Sequence, residues 1–145
     1  FIFLNEIYWL WENNFILNNE YQKSTWLSDI ILSENKKEGD INYIFCNDDF
    51  LLKINQEYLS HDTLTDIISF DYSVGNELHG DIFISTERVA DNAIDFNVSF
   101  ELELLRVLVH GVLHYCGYKD KSPADELVMR SKEDEKIQLF HVEPN

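Results

Sequence analysis

The stretch from Ser99 to Gly117 constrains this chain most. Within it Leu102, Leu105, Val109, Val112, Leu113 and Cys116 recur every three or four residues, the spacing that gathers side chains along one side of an α-helix. Ser99, followed by acids at positions 101 and 103, is a good start for such a helix, because a short polar side chain caps exposed amides and acids suit the positive end of the helix dipole. A helix with so apolar a stripe must be buried, so the rest of the chain has to supply a core around it. At 145 residues, 45% hydrophobic and 14% aromatic, it has enough material for one domain, spanning 1–145. With only 5 Gly and 2 Pro, collagen-like, proline-rich and disordered classes are excluded.

Around the central helix the pattern alternates between helix and strand. Trp26, Leu27, Ile30 and Ile31 sit at helical spacing between about Tyr21 and Ser33, the polar run Ser33 to Asp40 reads as a loop, and Ile41 to Cys46 is a β-prone run. Asn47, followed by Asp48 and Asp49, opens a helix to about Leu59. Thr65 to Tyr72 alternates Ile68, Phe70 and Tyr72 against Thr65, Ser69 and Asp71, and Leu78 to Ser85 follows beyond a Val74-Gly75-Asn76 turn. Ser85 or Thr86 opens a helix through Val89 and Ile94, and Ser122-Pro123 opens a last one with Leu127, Val128, Met129 and Ile137 as its inward set. With a possible strand near Phe1, this gives an α+β domain: a small mixed sheet of about four strands packed with about five helices.

Acidic residues exceed basic ones by 16, which repels polyanions at long range. Apolar runs such as Ile67 to Phe70 are far shorter than the roughly 20 residues of a bilayer span, so no membrane helix is expected. Phe1 to Phe15 carries Glu6 and Glu12 without a basic leader or small-residue cleavage site and does not read as a signal peptide, and the missing initiator Met suggests trimming. Cys46 and Cys116 lie in apolar runs and form no disulfide framework, which points to a reducing cytoplasm.

At about 100° per residue, His110 and His114 are one turn apart on nearly the same side of the helix, so both rings reach one point. Gly117 allows a left-handed turn that brings Asp120 back to it. Two nitrogens and one oxygen suit zinc, one ion per chain, although other divalent transition metals accept such a set, and three protein ligands leave a position open for water, as a catalytic site requires. The metal site thus lies at the end of the long central helix. Cys116 falls on the packing stripe and reads as a small hydrophobe, while His61, His79 and His141 have no ligand-spaced partner and read as surface histidines. Helix-borne zinc proteases share the spacing but place a Glu directly after the first His as general base; Gly111 here has no side chain to move a proton.

The run His110-Gly111-Val112-Leu113-His114-Tyr115-Cys116-Gly117-Tyr118-Lys119-Asp120 resembles the signature of the YbeY-like endoribonuclease family, His-Gly-x-Leu-His-x-x-Gly-Tyr-Asp-His. Lys119 stands where the pattern has Asp, and Asp120 takes the place of the third His. Upstream, Asn55-Gln56-Glu57-Tyr58 and Leu64-Thr65-Asp66-Ile67-Ile68-Ser69-Phe70 resemble the family's Asn-x-x-Tyr-Arg and Pro-Thr-Asp-Val-Leu-Ser-Phe, with Leu59 in place of the Arg. Gly80-Asp81-Ile82 and the Met129 to Glu133 spacing also fit. The resemblance implies a small α+β domain with a metal in a cleft. It also implies metal-dependent cleavage of single-stranded RNA in small-subunit ribosomal RNA 3′-end maturation and ribosome quality control, with ribosomal RNA, the small subunit and ribosomal proteins as partners and no DNA.

Around the ligands His110, His114 and Asp120, metal-bound water is the expected working acid–base group. Asp66 and Asp81 are candidate bases or supports for the ligands. Lys119, Lys121 and Arg106 offer local positive charge for RNA; equally, the lysines belong to a polar loop and Arg106 bridges to Glu103 or Glu101. Thr65 and Ser69 share a strand face that either lines the cleft or is solvated. Two other functions fit the same residues. One is a non-catalytic ribosome-assembly factor whose acidic surface meets basic ribosomal proteins, which Leu59 and the net charge favour; the other is a metallohydrolase of another substrate.

Overall fold

The computed structural model describes residues 7–61 and 63–140. In chain order the elements are β1 (Ile7–Trp11), α1 (Glu20–Ser33), β2 (Lys37–Cys46), α2 (Asp48–Leu59), β3 (Ile67–Asp71), β4 (Glu77–Ser85), α3 (Thr86–Asp95), α4 (Phe100–Tyr115) and α5 (Pro123–Ile137). The four strands form one sheet in the order β1-β2-β4-β3, with β1, β2 and β4 parallel and β3 antiparallel at the edge. This is a single small α+β domain. The possible strand at Phe1 lies outside the described residues; the first described strand is β1.

The sheet is covered on both faces, and the alternation of its strands decides what meets what. On one face Ile41, Tyr43 and Phe45 of β2 and Ile82 and Ile84 of β4 pack with Trp26, Leu27, Ile30 and Ile31 of α1 and with Leu104, Leu108 and Val112 of α4. On the other, Leu51 and Ile54 of α2 cover Cys46 and Ile68, with Phe70 and Phe83 beside them. Tyr43 carries a hydroxyl into the first core and satisfies it by donating to the Leu108 carbonyl at 2.6 Å.

Helix starts follow the capping residues. Ser85, Ser99 and Ser122 accept from the amides of Arg88, Leu102 and Asp125 at 3.2, 3.0 and 3.1 Å. Asn47 precedes α2 without a side-chain cap bond; instead the Asp48 amide donates to Glu87 of α3 at 2.9 Å.

Three local expectations need correction. The run Ser33 to Asp40 is not all loop, because β2 already pairs with β4 at Lys37 and Glu38 before a bulge that ends at Ile41; the backbone ladder continues through polar residues. The α4 stripe is broader than expected: Leu104, Val107 and Leu108 are buried while Leu102 and Cys116 are only half-buried. In α5, Leu127 and Val128 are exposed, and the inner side is Met129, Glu133 and Lys136, two of them charged residues buried with partners. Among the described residues no helix is long and apolar enough to cross a membrane.

Candidate metal centre

The last turn of α4 brings His110 and His114 together, and its terminus brings the third group. Cys116 caps the helix, Gly117 takes φ 106°, the Gly117 amide donates to the His114 carbonyl at 3.0 Å and the Tyr118 amide to the Leu113 carbonyl at 3.1 Å. This double closure with a left-handed glycine reverses the chain. Asp120 then returns to the histidines, with its Oδ2 3.2 Å from Nε2 of each, and the two Nε2 atoms are 3.0 Å apart.

The outer nitrogens settle which atoms carry protons. His110 Nδ1 lies 2.6 Å from Glu133 Oε2, and His114 Nδ1 lies 2.9 Å from the Tyr118 carbonyl oxygen. A carbonyl oxygen only accepts, and the Glu133 carboxylate does the same, so both Nδ1 atoms donate, and in the neutral rings both Nε2 atoms present lone pairs. With both rings neutral, three acceptors converge on one point, and a cation, whether a proton or a metal ion, satisfies that arrangement. Their separations are close to the roughly 3.3 Å edge of a tetrahedron with bonds of 2.0–2.1 Å. The donor set fits a divalent transition metal, with His110, His114 and Asp120 as its holders.

Glu133 does two things at once. It is 5% exposed; one oxygen receives the His110 proton and the other lies 2.8 Å from the Arg106 guanidinium, which also reaches Asp134 at 2.7 Å. Burial works against a charged His110, but the hydrogen bond and charge of Glu133, with Asp120 and Asp66, outweigh it and hold this imidazole above its ordinary pKa. A metal must therefore compete with a proton there. Burial also raises the carboxyls of Asp66 and Glu103, which face the same space.

Over the three ligands opens a cleft of about 560 Å³, walled by Thr65 to Ile67 and Ser69 before and along β3, by Glu103, Arg106 and Val107 on α4, and by α5. Gly111 sets how closely α4 approaches the sheet: a Cβ there would come within 2.9 Å of Ile82 Cδ1 and 3.2 Å of Ile67 Cδ1. Position 111 is buried against Ile82 and Ile67 and is not itself on the cleft wall, so the glutamate of the zinc-protease pattern has no place in this packing.

The model of the family described as Endoribonuclease YbeY matches residues 12–141. The chain belongs to the YbeY endoribonuclease family. Its relatives include the protein named Endoribonuclease YbeY of Flavobacterium johnsoniae, 71% identical over 133 residues and covering 92% of this chain and 96% of the relative. The one of that name from Flavobacterium psychrophilum is 67% identical over 135 residues, covering 93% and 96%. A solution structure of a Thermotoga maritima protein superposes with a TM-score of 0.66 at 26% identity, covering 91% of this chain and 87% of that one.

Within this YbeY-family domain the structure sorts the remaining candidate residues. Asp66, Thr65, Ser69 and Arg106 line the cleft. Asp81 does not: Ile82 faces α4, so its neighbour on β4 faces the other way, where its Oδ1 accepts from Asn42 Nδ2 at 2.9 Å. Lys119 and Lys121 are exposed and lie outside the cleft wall. Arg106 bridges neither Glu101 nor Glu103 but Glu133 and Asp134 across the α4–α5 contact, so its charge is already engaged. Leu59, where the resemblance has Arg, is at the end of α2, 42% exposed and also outside the cleft wall. The sequence offers Glu103 only as a helix-start acid or a partner for Arg106, and Glu133 only through the Met129 to Glu133 spacing, with no place for either at the metal site. Glu103, Arg106 and His110 share one side of α4 by their spacing, a signal that marks Glu103; no such helical spacing relates Glu133 on α5 to His110.

Proposed function

We propose that this endoribonuclease-family chain is a zinc-dependent hydrolase selective for single-stranded RNA, acting in the cytoplasm in small-subunit ribosomal RNA 3′-end maturation and ribosome quality control. The observation that supports metal dependence is the convergence of three potential metal-binding atoms, His110 Nε2, His114 Nε2 and Asp120 Oδ2, at the floor of the cleft. Two nitrogens and one oxygen with a vertex left open favour zinc in a catalytic arrangement. When bound, such an ion supplies Lewis acidity toward a phosphoryl oxygen and makes water more acidic.

The chain's own groups do the positioning and proton handling. Glu133 and the Tyr118 carbonyl hold the Nδ1 protons and so fix the ring orientations. Asp66, kept protonated more readily than an ordinary aspartate by burial, takes or gives a proton at its carboxyl on the cleft wall. Thr65 and Ser69 add hydroxyls on the same wall, suited to the sugars and phosphates of RNA. Ribosomal RNA, the small subunit and ribosomal proteins are the expected partners.

The test is cleavage of single- and double-stranded RNA of the same sequence, and of a small-subunit precursor 3′ end, with chelator and after adding back zinc. Loss of single-strand cleavage with chelator and its return with zinc supports the reading; cleavage indifferent to chelator overturns metal dependence. The net charge of −16 favours a second reading, a non-catalytic assembly factor meeting basic ribosomal proteins. Ribosomal-protein binding with no RNA turnover by the zinc-loaded chain would select it.

A further inference from the structure

Two side chains in the cleft have no part in anything above. Arg130 of α5 and Phe96 at the end of α3 both line it. Arg130 is exposed, and no hydrogen bond or ion pair joins its guanidinium to a described residue. Its helical neighbour Glu126, one turn earlier and also on the cleft wall, is the natural partner for it, yet that pair is not made. Phe96 is 58% exposed, and its ring stacks on no described aromatic. A single exposed aromatic is ordinary on a protein surface. One that shares a cleft with an arginine held in no close ion pair and with a convergent ligand set is a different matter.

The cleft's charges make the case sharper. Asp66, Glu103, Asp120, Glu126 and Glu133 face it, against only two arginines among the described residues. Of these, Arg106 is held by Glu133 and Asp134. A polyanion entering this space meets repulsion unless a cation receives it, and the one on the wall without a close ion pair is Arg130, whose charge reaches Glu103 only at a distance. Lys119, Lys121 and Leu59 do not line the cleft.

Resting on the reading that the cleft takes single-stranded RNA, we propose that Arg130 and Phe96 form a nucleotide subsite beside the metal ligands. The guanidinium takes a backbone phosphate through its paired N–H donors, and the Phe96 ring stacks an unpaired base. Such stacking requires a base free of its duplex neighbours. Phe96 is thus a determinant of strand selectivity, and Arg130 the cation that lets an acidic protein hold its substrate.

The experiment uses the full chain loaded with zinc, with metal content and Tm measured for each variant, and follows cleavage of a single-stranded oligoribonucleotide and its duplex across salt concentrations. Arg130→Ala should raise KM about tenfold, with a smaller change in kcat, and flatten the salt dependence of affinity by about 0.7 in log–log slope. Arg130→Lys should restore that slope. Phe96→Ala should raise KM for the single strand about tenfold and narrow its preference over duplex, and Phe96→Trp should restore both. If the unmodified chain cleaves single-stranded RNA while both alanine variants, at full metal content, keep KM and strand preference within twofold, the subsite is wrong and the endoribonuclease reading stands. If the unmodified zinc-loaded chain neither cleaves nor binds RNA, that reading fails and the subsite with it.

Discussion

Glu133 Oε2 lies 2.6 Å from His110 Nδ1 across the contact between α5 and α4, so a candidate metal ligand on one helix is oriented by a carboxylate from another. The same carboxylate is anchored by Arg106 at 2.8 Å. Removing its charge leaves His110 in place but frees its ring to turn and lowers its basicity as a ligand. Glu133→Gln should weaken zinc binding by about 10–100-fold, measured by competition with a chromophoric chelator. Glu133→Ala should do so more severely and also cost stability, because it strips a partner from Arg106. Equal affinity in all three proteins would show that Glu133 does not set the ligand geometry.

Gly111 offers a test of the packing that sets this site apart from the zinc-protease pattern. Its missing Cβ lets α4 rest against Ile82 and Ile67. Gly111→Glu completes the zinc-protease pattern in sequence but directs a carboxylate into the core. The variant should gain no peptide hydrolysis and should lose about 1–3 kcal/mol or more of stability from overpacking, with the buried acid adding to it. Chemical denaturation reads the loss, and an unchanged midpoint would contradict the packing described.

What the sequence made legible was whatever a single helix and its turn determine. His110, His114, Gly117 and Asp120 lie within one run, and the geometry of one helix end relates them without knowledge of the rest. Ser85, Ser99 and Ser122 likewise marked helix starts by local chemistry. Glu133 was not legible as an orienting group, because its contact with His110 depends on how α5 docks on α4. In α5 the buried positions carry Glu133 and Lys136, with Lys136 paired to Glu34 at 3.0 Å, so an apolar pattern pointed instead to Leu127 and Val128. Asp81 is decided by strand parity: Leu78, Gly80, Ile82 and Ile84 alternate toward the core, which sends Asp81 to the opposite face although the Gly80-Asp81-Ile82 motif suggests a place in the cleft.

Glu34 supplies an acid-dependent tie to the metal loop. It accepts from the Tyr118 hydroxyl at 2.6 Å and pairs with Lys136, while Tyr118 holds His114 through its carbonyl. Burial alone would raise the Glu34 carboxyl, but the bonds from Tyr118 and Lys136 and the charges of Lys136 and Lys132 outweigh it, so its pKa is lowered on folding. A depressed folded pKa contributes stability that is present above the unfolded value and lost as pH falls through the folded one. The unmodified protein should therefore lose stability as pH drops below about 4.5, and Glu34→Gln should be less stable by about 1–2 kcal/mol at neutral pH with a flatter acid limb. Parallel stability curves for the two proteins from neutral pH down through the carboxylate range would rule this out.

Metal removal should be visible in the fold as well as in the site. Without any cation, the Nε2 atoms of the neutral His110 and His114 rings and the Asp120 carboxylate would face one another with unshared electron pairs. That mutual repulsion is relieved by an ion bound only to the folded chain. At free zinc one hundredfold above the dissociation constant the gain is about 2.7 kcal/mol, which for a domain of this size corresponds to a rise in Tm of roughly 5–10 °C. Zinc should thus raise Tm and chelator lower it in the unmodified protein. His114→Ala, which removes one acceptor and leaves the helix end intact, should bind well below one ion per chain by elemental analysis and show little of that shift. A His114→Ala protein that kept full metal content and the full thermal response would place the ion somewhere other than this triad.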